Sequence, residues 1–121
     1  MSKVLIVDDS PAQLFTLRQI VEQAGYQAMV ADCGEQALEI ASQEKPEVIL
    51  MDIVMPGMSG YQATRRLSRN ELTSNIPVIF VSTRSNETDR VWGLRQGAKD
   101  YVTKPINPET LITAISAAMA A

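Results

Sequence analysis

The chain has 121 residues, of which 45% are hydrophobic, a size and composition that match one domain with a single core. Eleven basic against fourteen acidic residues leave a net charge of -3 with no dense run of Lys or Arg, which argues against direct nucleic-acid binding. A lone cysteine, Cys33, rules out an internal disulfide, and the absence of histidine removes zinc sites and Cys-His nucleophile pairs from consideration.

Met1-Ser2-Lys3 leads straight into the apolar Val4-Leu5-Ile6-Val7, which Asp8 and Asp9 end well short of a signal-peptide core or a membrane span, so a cytoplasmic protein is expected. Ser10-Pro11 reads as an N-cap followed by proline at the first helical position. Leu14, Leu17, Ile20, Val21 and Ala24 then share one helical face before Gly25 stops the helix. Residues 28–31 form the next apolar run. A second helix is predicted from Gly34 to about Gln43, with Ala37, Leu38 and Ala41 inward, ahead of a break at Lys45-Pro46. Residues 48–51 make a third strand ending at Asp52. Gly57 and Gly60 then permit a tight loop before a third helix over residues 59–70. Residues 78–81 and the weaker Tyr101-Val102 are the last strands. Between them a fourth helix begins near Asn86 and ends at Gly97, and Asn107-Pro108 opens a fifth that carries Leu111, Ile112, Ile115 and Met119.

Apolar strands alternating with helices imply a parallel sheet covered on both faces. The predicted fold is therefore α/β, doubly wound, with five parallel strands and five helices in one domain over residues 1–121. No effector domain is expected. In such folds ligands bind beyond the carboxyl ends of the strands, where the strand order reverses. The residues at those ends are Asp8 and Asp9, Asp52, Ser82 and Lys104. Three carboxylates brought together repel by several kcal/mol at an effective dielectric of about 20, so cations must offset them. Lys104 supplies one charge. A hard, oxygen-only site suits Mg²⁺ for the rest. With that compensation one carboxylate can act as the nucleophile toward an activated phosphoryl group, whose oxygens would be shared among Mg²⁺, Lys104, Ser82 and backbone amides after Asp52. Spacing alone does not choose among the three aspartates.

Asp8-Asp9, Asp52 followed by Met55-Pro56-Gly57-Met58-Ser59-Gly60, Ser82, and Asp100-Tyr101 before Lys104-Pro105 resemble the motifs of the response-regulator receivers over essentially the whole chain. The resemblance implies that Asp52 is the phosphoacceptor and that Asp8, Asp9, Asp52 and the backbone carbonyl of Val54 hold the metal. It also implies a cis Lys104-Pro105 bond and a switch hydroxyl at Ser82, with Thr83 lining the pocket. Val54 and Arg84 occupy the positions that shape water access to the acyl phosphate in the family. The family's inward-turning aromatic falls on Tyr101, linked to an output face made by the fourth helix, fifth strand and fifth helix, and Trp92 lies on that helix. Read from the residues alone, Tyr101 is an ordinary half-buried strand residue, and Trp92 is either a partner anchor or a cover for the core. Arg65-Arg66 and Arg90 read as solvated helix faces, Cys33 as a small packing residue and the methionines as gap-fillers.

Lacking histidine, the chain needs a separate phosphoryl donor, a histidine kinase or phosphotransfer protein, and its output is a change in protein binding. It resembles stand-alone CheY-like regulators of chemotaxis. Met51-Asp52-Ile53-Val54-Met55-Pro56-Gly57 and Val91-Trp92-Gly93-Leu94-Arg95-Gln96-Gly97-Ala98 look closer to the small regulators of type IV pilus, twitching-motility chemosensory systems. Three alternatives stay open: a phosphate sink for a shared kinase, a docking module that is not phosphorylated, and an aspartyl-phosphate phosphatase of the haloacid-dehalogenase type. The last would need a second carboxylate where Val54 stands.

Overall fold

The structure is a computed structural model that describes residues 1–120. In chain order the elements are β1 (Lys3–Val7), α1 (Pro11–Gln23), β2 (Gln27–Ala31), α2 (Gly34–Glu44), β3 (Val48–Met51), α3 (Gly60–Arg69), β4 (Val78–Ser82), α4 (Glu87–Arg95), β5 (Asp100–Thr103) and α5 (Pro108–Ala120). The strands form one parallel sheet in the order β2-β1-β3-β4-β5, with Val4 opposite Ala28 on one side and Val48 on the other. The order therefore reverses between β1 and β3. Among the described residues no helix is long and apolar enough to cross a membrane.

Because successive strand residues point to opposite faces, each strand serves two cores. Leu5, Val7, Ile49, Met51, Val78 and Phe80 face the layer of α2 and α3, meeting Ala37, Ala41, Ala63 and Leu67. Val4, Ile6, Val48, Leu50, Ile79 and Val81 face α1 and α5, meeting Leu17, Val21, Leu111 and Ile115. Double burial explains why β1, β3 and β4 read as unbroken apolar runs. The edge strand β2 is only partly covered, with Ala31 its single buried residue, because it has one neighbouring strand instead of two. Uniform strand burial, as expected from the apolar runs, thus fails at that edge.

Local signals place the helices. The Ser10 hydroxyl accepts from the Gln13 amide at 3.4 Å with Pro11 at the start of α1, and Ser59 and Gln62 make a reciprocal capping box at α3. Asn86 caps α4 through the Asp89 amide. At α2 the chain turns through Lys45 at φ 46°, a left-handed cap made without glycine. Gly60 is required for a different reason. A Cβ there would lie 2.1 Å from the Asp52 carbonyl oxygen and 2.8 Å from Ile53 Cα, so only glycine lets α3 start against the end of β3.

Candidate functional site

The carboxyl ends of β1 and β3 flank the point where strand order reverses, and the ladder of each runs one rung past its last residue. The Asp8 amide donates to the Ala31 carbonyl at 3.1 Å, and the Asp52 amide donates to the Val7 carbonyl at 2.9 Å. The Lys104 amide likewise donates to the Ser82 carbonyl at 2.8 Å. Each of these side chains therefore leaves a backbone position fixed by sheet hydrogen bonds. Oxygens of Asp8, Asp9 and Asp52 lie within 4.8 Å of one another. Asp8 and Asp52 are buried, while Asp9 stands exposed at the rim.

Lys104 Nζ donates to Asp8 Oδ2 at 2.9 Å and sits 3.6 Å from Asp52 Oδ1, so its charge is shared but lies closer to Asp8. The other Asp8 oxygen accepts from the Ser10 amide at 2.9 Å. Burial, and next the charge of Asp8, push the Asp52 carboxyl above the ordinary carboxylate range. Lys104 and the Ile53 amide pull it down, and Asp9 adds to the upward push. Three carboxylates against one ammonium leave the cluster short of positive charge. A divalent cation fits that deficit, since every donor is a hard oxygen and Asp9 leaves one side open to water. The site can thus concentrate positive charge around one buried carboxylate, the condition for a phosphoryl acceptor.

Ser82 lies at the end of β4 and is buried, whereas its neighbour Thr83 is exposed. Its Oγ accepts from the Arg84 amide at 3.1 Å. The Lys104-Pro105 bond is cis. Val54 is 60% exposed, standing on the loop beyond Asp52. One reading made from the residues alone is corrected. Tyr101 is fully inside, 3% exposed, because its hydroxyl finds an acceptor in the Arg84 carbonyl at 2.8 Å and its ring packs edge-on against Phe80. Arg90 is exposed on its helix face as expected, and its guanidinium also donates to the Tyr101 carbonyl at 3.1 Å and pairs with Asp100 at 3.6 Å, tying α4 to β5. Arg65 is likewise engaged, donating to Gln96 Oε1, while Arg66 is exposed as expected.

Trp92 does not cover the core. It is half exposed, and its ring meets Tyr61 edge-on at 6.5 Å; Tyr61 in turn meets Phe80 at 5.4 Å. Cys33 is partly buried at the start of α2, and Met51, Met55 and Met58 fill the core. Gly93, in the middle of α4, is buried against the rings of Tyr101 and Phe80, a close approach not anticipated from the sequence. A glycine interrupting a helical pattern was the available signal.

Residues 4–116 match the family described as response regulator receiver domain. The chain belongs to that family. This receiver is 52% identical over 120 residues to protein PilH of Pseudomonas aeruginosa, covering 99% of both chains. Among solved structures it is similar to the chemotaxis protein CheY4 of Vibrio cholerae, with a TM-score of 0.90 and 30% identity over 98% of each chain. It is similar also to the receiver domain of a Pseudomonas aeruginosa sensor histidine kinase, with a TM-score of 0.92 and 27% identity over 99% of this chain and 98% of the other. That structure holds a magnesium ion coordinated in its active-site cleft.

Proposed function

We propose that this receiver takes a phosphoryl group from a phosphohistidine of a histidine kinase or phosphotransfer protein onto Asp52, and that the phosphorylated form changes its binding to a downstream protein. The observation that carries this reading is the buried Asp52 carboxylate, grouped with Asp8 and Asp9 beside Lys104 at the sheet's switch point. A carboxylate oxygen of Asp52 attacks phosphorus as the donor's P–N bond breaks. The bonding pair returns to the donor ring nitrogen, leaving free histidine on the donor and an aspartyl phosphate on the receiver.

Asp8, Asp9, Asp52 and the Val54 carbonyl would hold Mg²⁺, which when bound supplies two positive charges against the phosphoryl oxygens. The magnesium ion in the related sensor-kinase receiver supports that choice of metal. Lys104 adds a further charge at the same place. The Ser82 oxygen already accepts from the Arg84 amide, and among the described residues its own hydrogen has no acceptor, so it is free to donate to a phosphoryl oxygen. Tyr101, held by the Arg84 carbonyl, then carries the change toward α4, β5 and α5, where Trp92 is half exposed as an anchor for a partner.

The near-full-length match to PilH supports a stand-alone regulator in chemosensory control of type IV pili and twitching motility. Incubation with acetyl phosphate and Mg²⁺, followed by intact mass, tests the chemistry. One phosphoryl adduct is expected in wild type, with none in Asp52→Asn and none after chelation. If neither acetyl phosphate nor a kinase donor yields an adduct, the chain is a docking module instead.

A further inference from the structure

We infer that Gly93 is a positioning residue that keeps open the inward seat of Tyr101 and thereby joins the strand-end site to the α4 face. The second half of that statement rests on the phosphoryl-switch reading above. In α4, Gly93 is the single buried residue, while Val91, Trp92 and Leu94 are 40, 50 and 40% exposed. A Cβ at Gly93 would stand 2.9 Å from Tyr101 Cδ2, 3.1 Å from Tyr101 Cε2 and 3.1 Å from Phe80 Cδ2. Real Cβ atoms do not approach a ring that closely, so something must give.

Phe80 is fully buried on the central part of the sheet and has nowhere to go. The β5 backbone is held to α4 through Arg90, which bonds the Tyr101 carbonyl and pairs with Asp100. The Tyr101 side chain is left as the part that moves, since a turn about its first torsion carries the ring toward solvent. Leaving the seat breaks the hydroxyl bond to the Arg84 carbonyl, and the Arg84 amide is the donor that holds Ser82 Oγ. Two hydrogen bonds therefore separate the ring seated on Gly93 from the hydroxyl of the phosphoryl site. Around the same glycine, Tyr101, Phe80, Tyr61 and Trp92 follow one another edge-on, so an emission change at Trp92 reports on the seat.

One substitution, made in two backgrounds, isolates the effect. Gly93 has no left-handed φ, and alanine for glycine in a helix interior ordinarily stabilises. Thermal midpoints of wild type, Gly93→Ala, Tyr101→Ala and the double variant, measured without a phosphoryl donor, form a cycle that removes contributions from the helix alone. Gly93→Ala is expected to lower the midpoint in wild type, and to lower it clearly less or to raise it in the Tyr101→Ala background, where only the 3.1 Å approach to Phe80 remains. Equal shifts in the two backgrounds would overturn the seat.

The coupling is read with acetyl phosphate and Mg²⁺. Gly93→Ala should still form the aspartyl adduct by intact mass, yet lose most of the Trp92 emission change that wild type shows. A wild-type emission unmoved by the adduct, or a variant response equal to wild type, overturns the link to α4. Absence of any adduct in wild type strikes the Asp52 reading instead, and the thermal cycle still decides the seat.

Discussion

The ends of β1 and β3 and the exposed face of α4 are built on opposite terms. At the strand ends, Asp8 and Asp52 leave backbone held by sheet hydrogen bonds and backed by Val7 and Met51, both essentially without exposure. Nothing there can shift without breaking the core. In α4, nine residues bury one glycine, and three large apolar side chains face solvent. A helix held by so little apolar area opens or moves at a small fraction of the global stability. The contrast suits the proposed function: groups that would meet a reacting phosphorus with fixed geometry sit on doubly buried strands, and the element proposed to exchange partners sits where packing is thin.

Truncations in the two regions should break or sharpen that contrast. Phe80→Ala removes a fully buried ring and is expected to cost about 3 to 5 kcal/mol in urea unfolding, whereas Trp92→Ala, on the same run of aromatic rings, should change stability by less than about 1 kcal/mol. Comparable losses would mean that α4 is as firmly packed as the sheet. Next in size, Lys104→Ala strips the cation from a buried cluster and should destabilise the metal-free protein by about 3 kcal/mol, with saturating Mg²⁺ restoring part of the loss. A neutral outcome would show that the carboxylates are already protonated or solvated.

A smaller effect of opposite sign is expected from Asp52→Asn, which should raise the thermal midpoint of the metal-free protein by a few degrees near neutral pH. Since the folded Asp52 carboxyl lies above the ordinary carboxylate range, the folded state holds a proton that the unfolded state has lost within that window. Its stability therefore falls as pH rises through the window and levels off above it. Asp52→Asn should lack that fall, and parallel pH profiles for the two proteins would contradict the burial argument. Smallest, Val54→Asn replaces an exposed apolar side chain two residues beyond Asp52 with one that can hold water, and on the proposed reading of Asp52 should shorten the phosphoryl lifetime severalfold. Decay of the adduct followed by intact mass checks it, and equal lifetimes would remove Val54 from any role in water access.

Much of this could be read from the sequence alone. Apolar runs, helical periodicity, the cap-plus-proline signals at Ser10-Pro11 and Asn107-Pro108 and the break at Lys45-Pro46 located the strands and helices, because periodicity and capping are settled within a few neighbouring residues. Once strands alternate with helices, parallel pairing brings their carboxyl ends to one edge, which is why Asp8, Asp9, Asp52, Ser82 and Lys104 were legible as a set. What packs across that frame was not. The burial of Tyr101, the tie of Arg90 to β5, the seat at Gly93 and the nearer approach of Lys104 to Asp8 than to Asp52 each depend on partners from other elements. Local sequence determines the elements and the edge on which the chemistry sits; burial and pairing are set only when elements far apart in the chain close on one another, because excluded volume and hydrogen-bond satisfaction are properties of that contact and of no single segment.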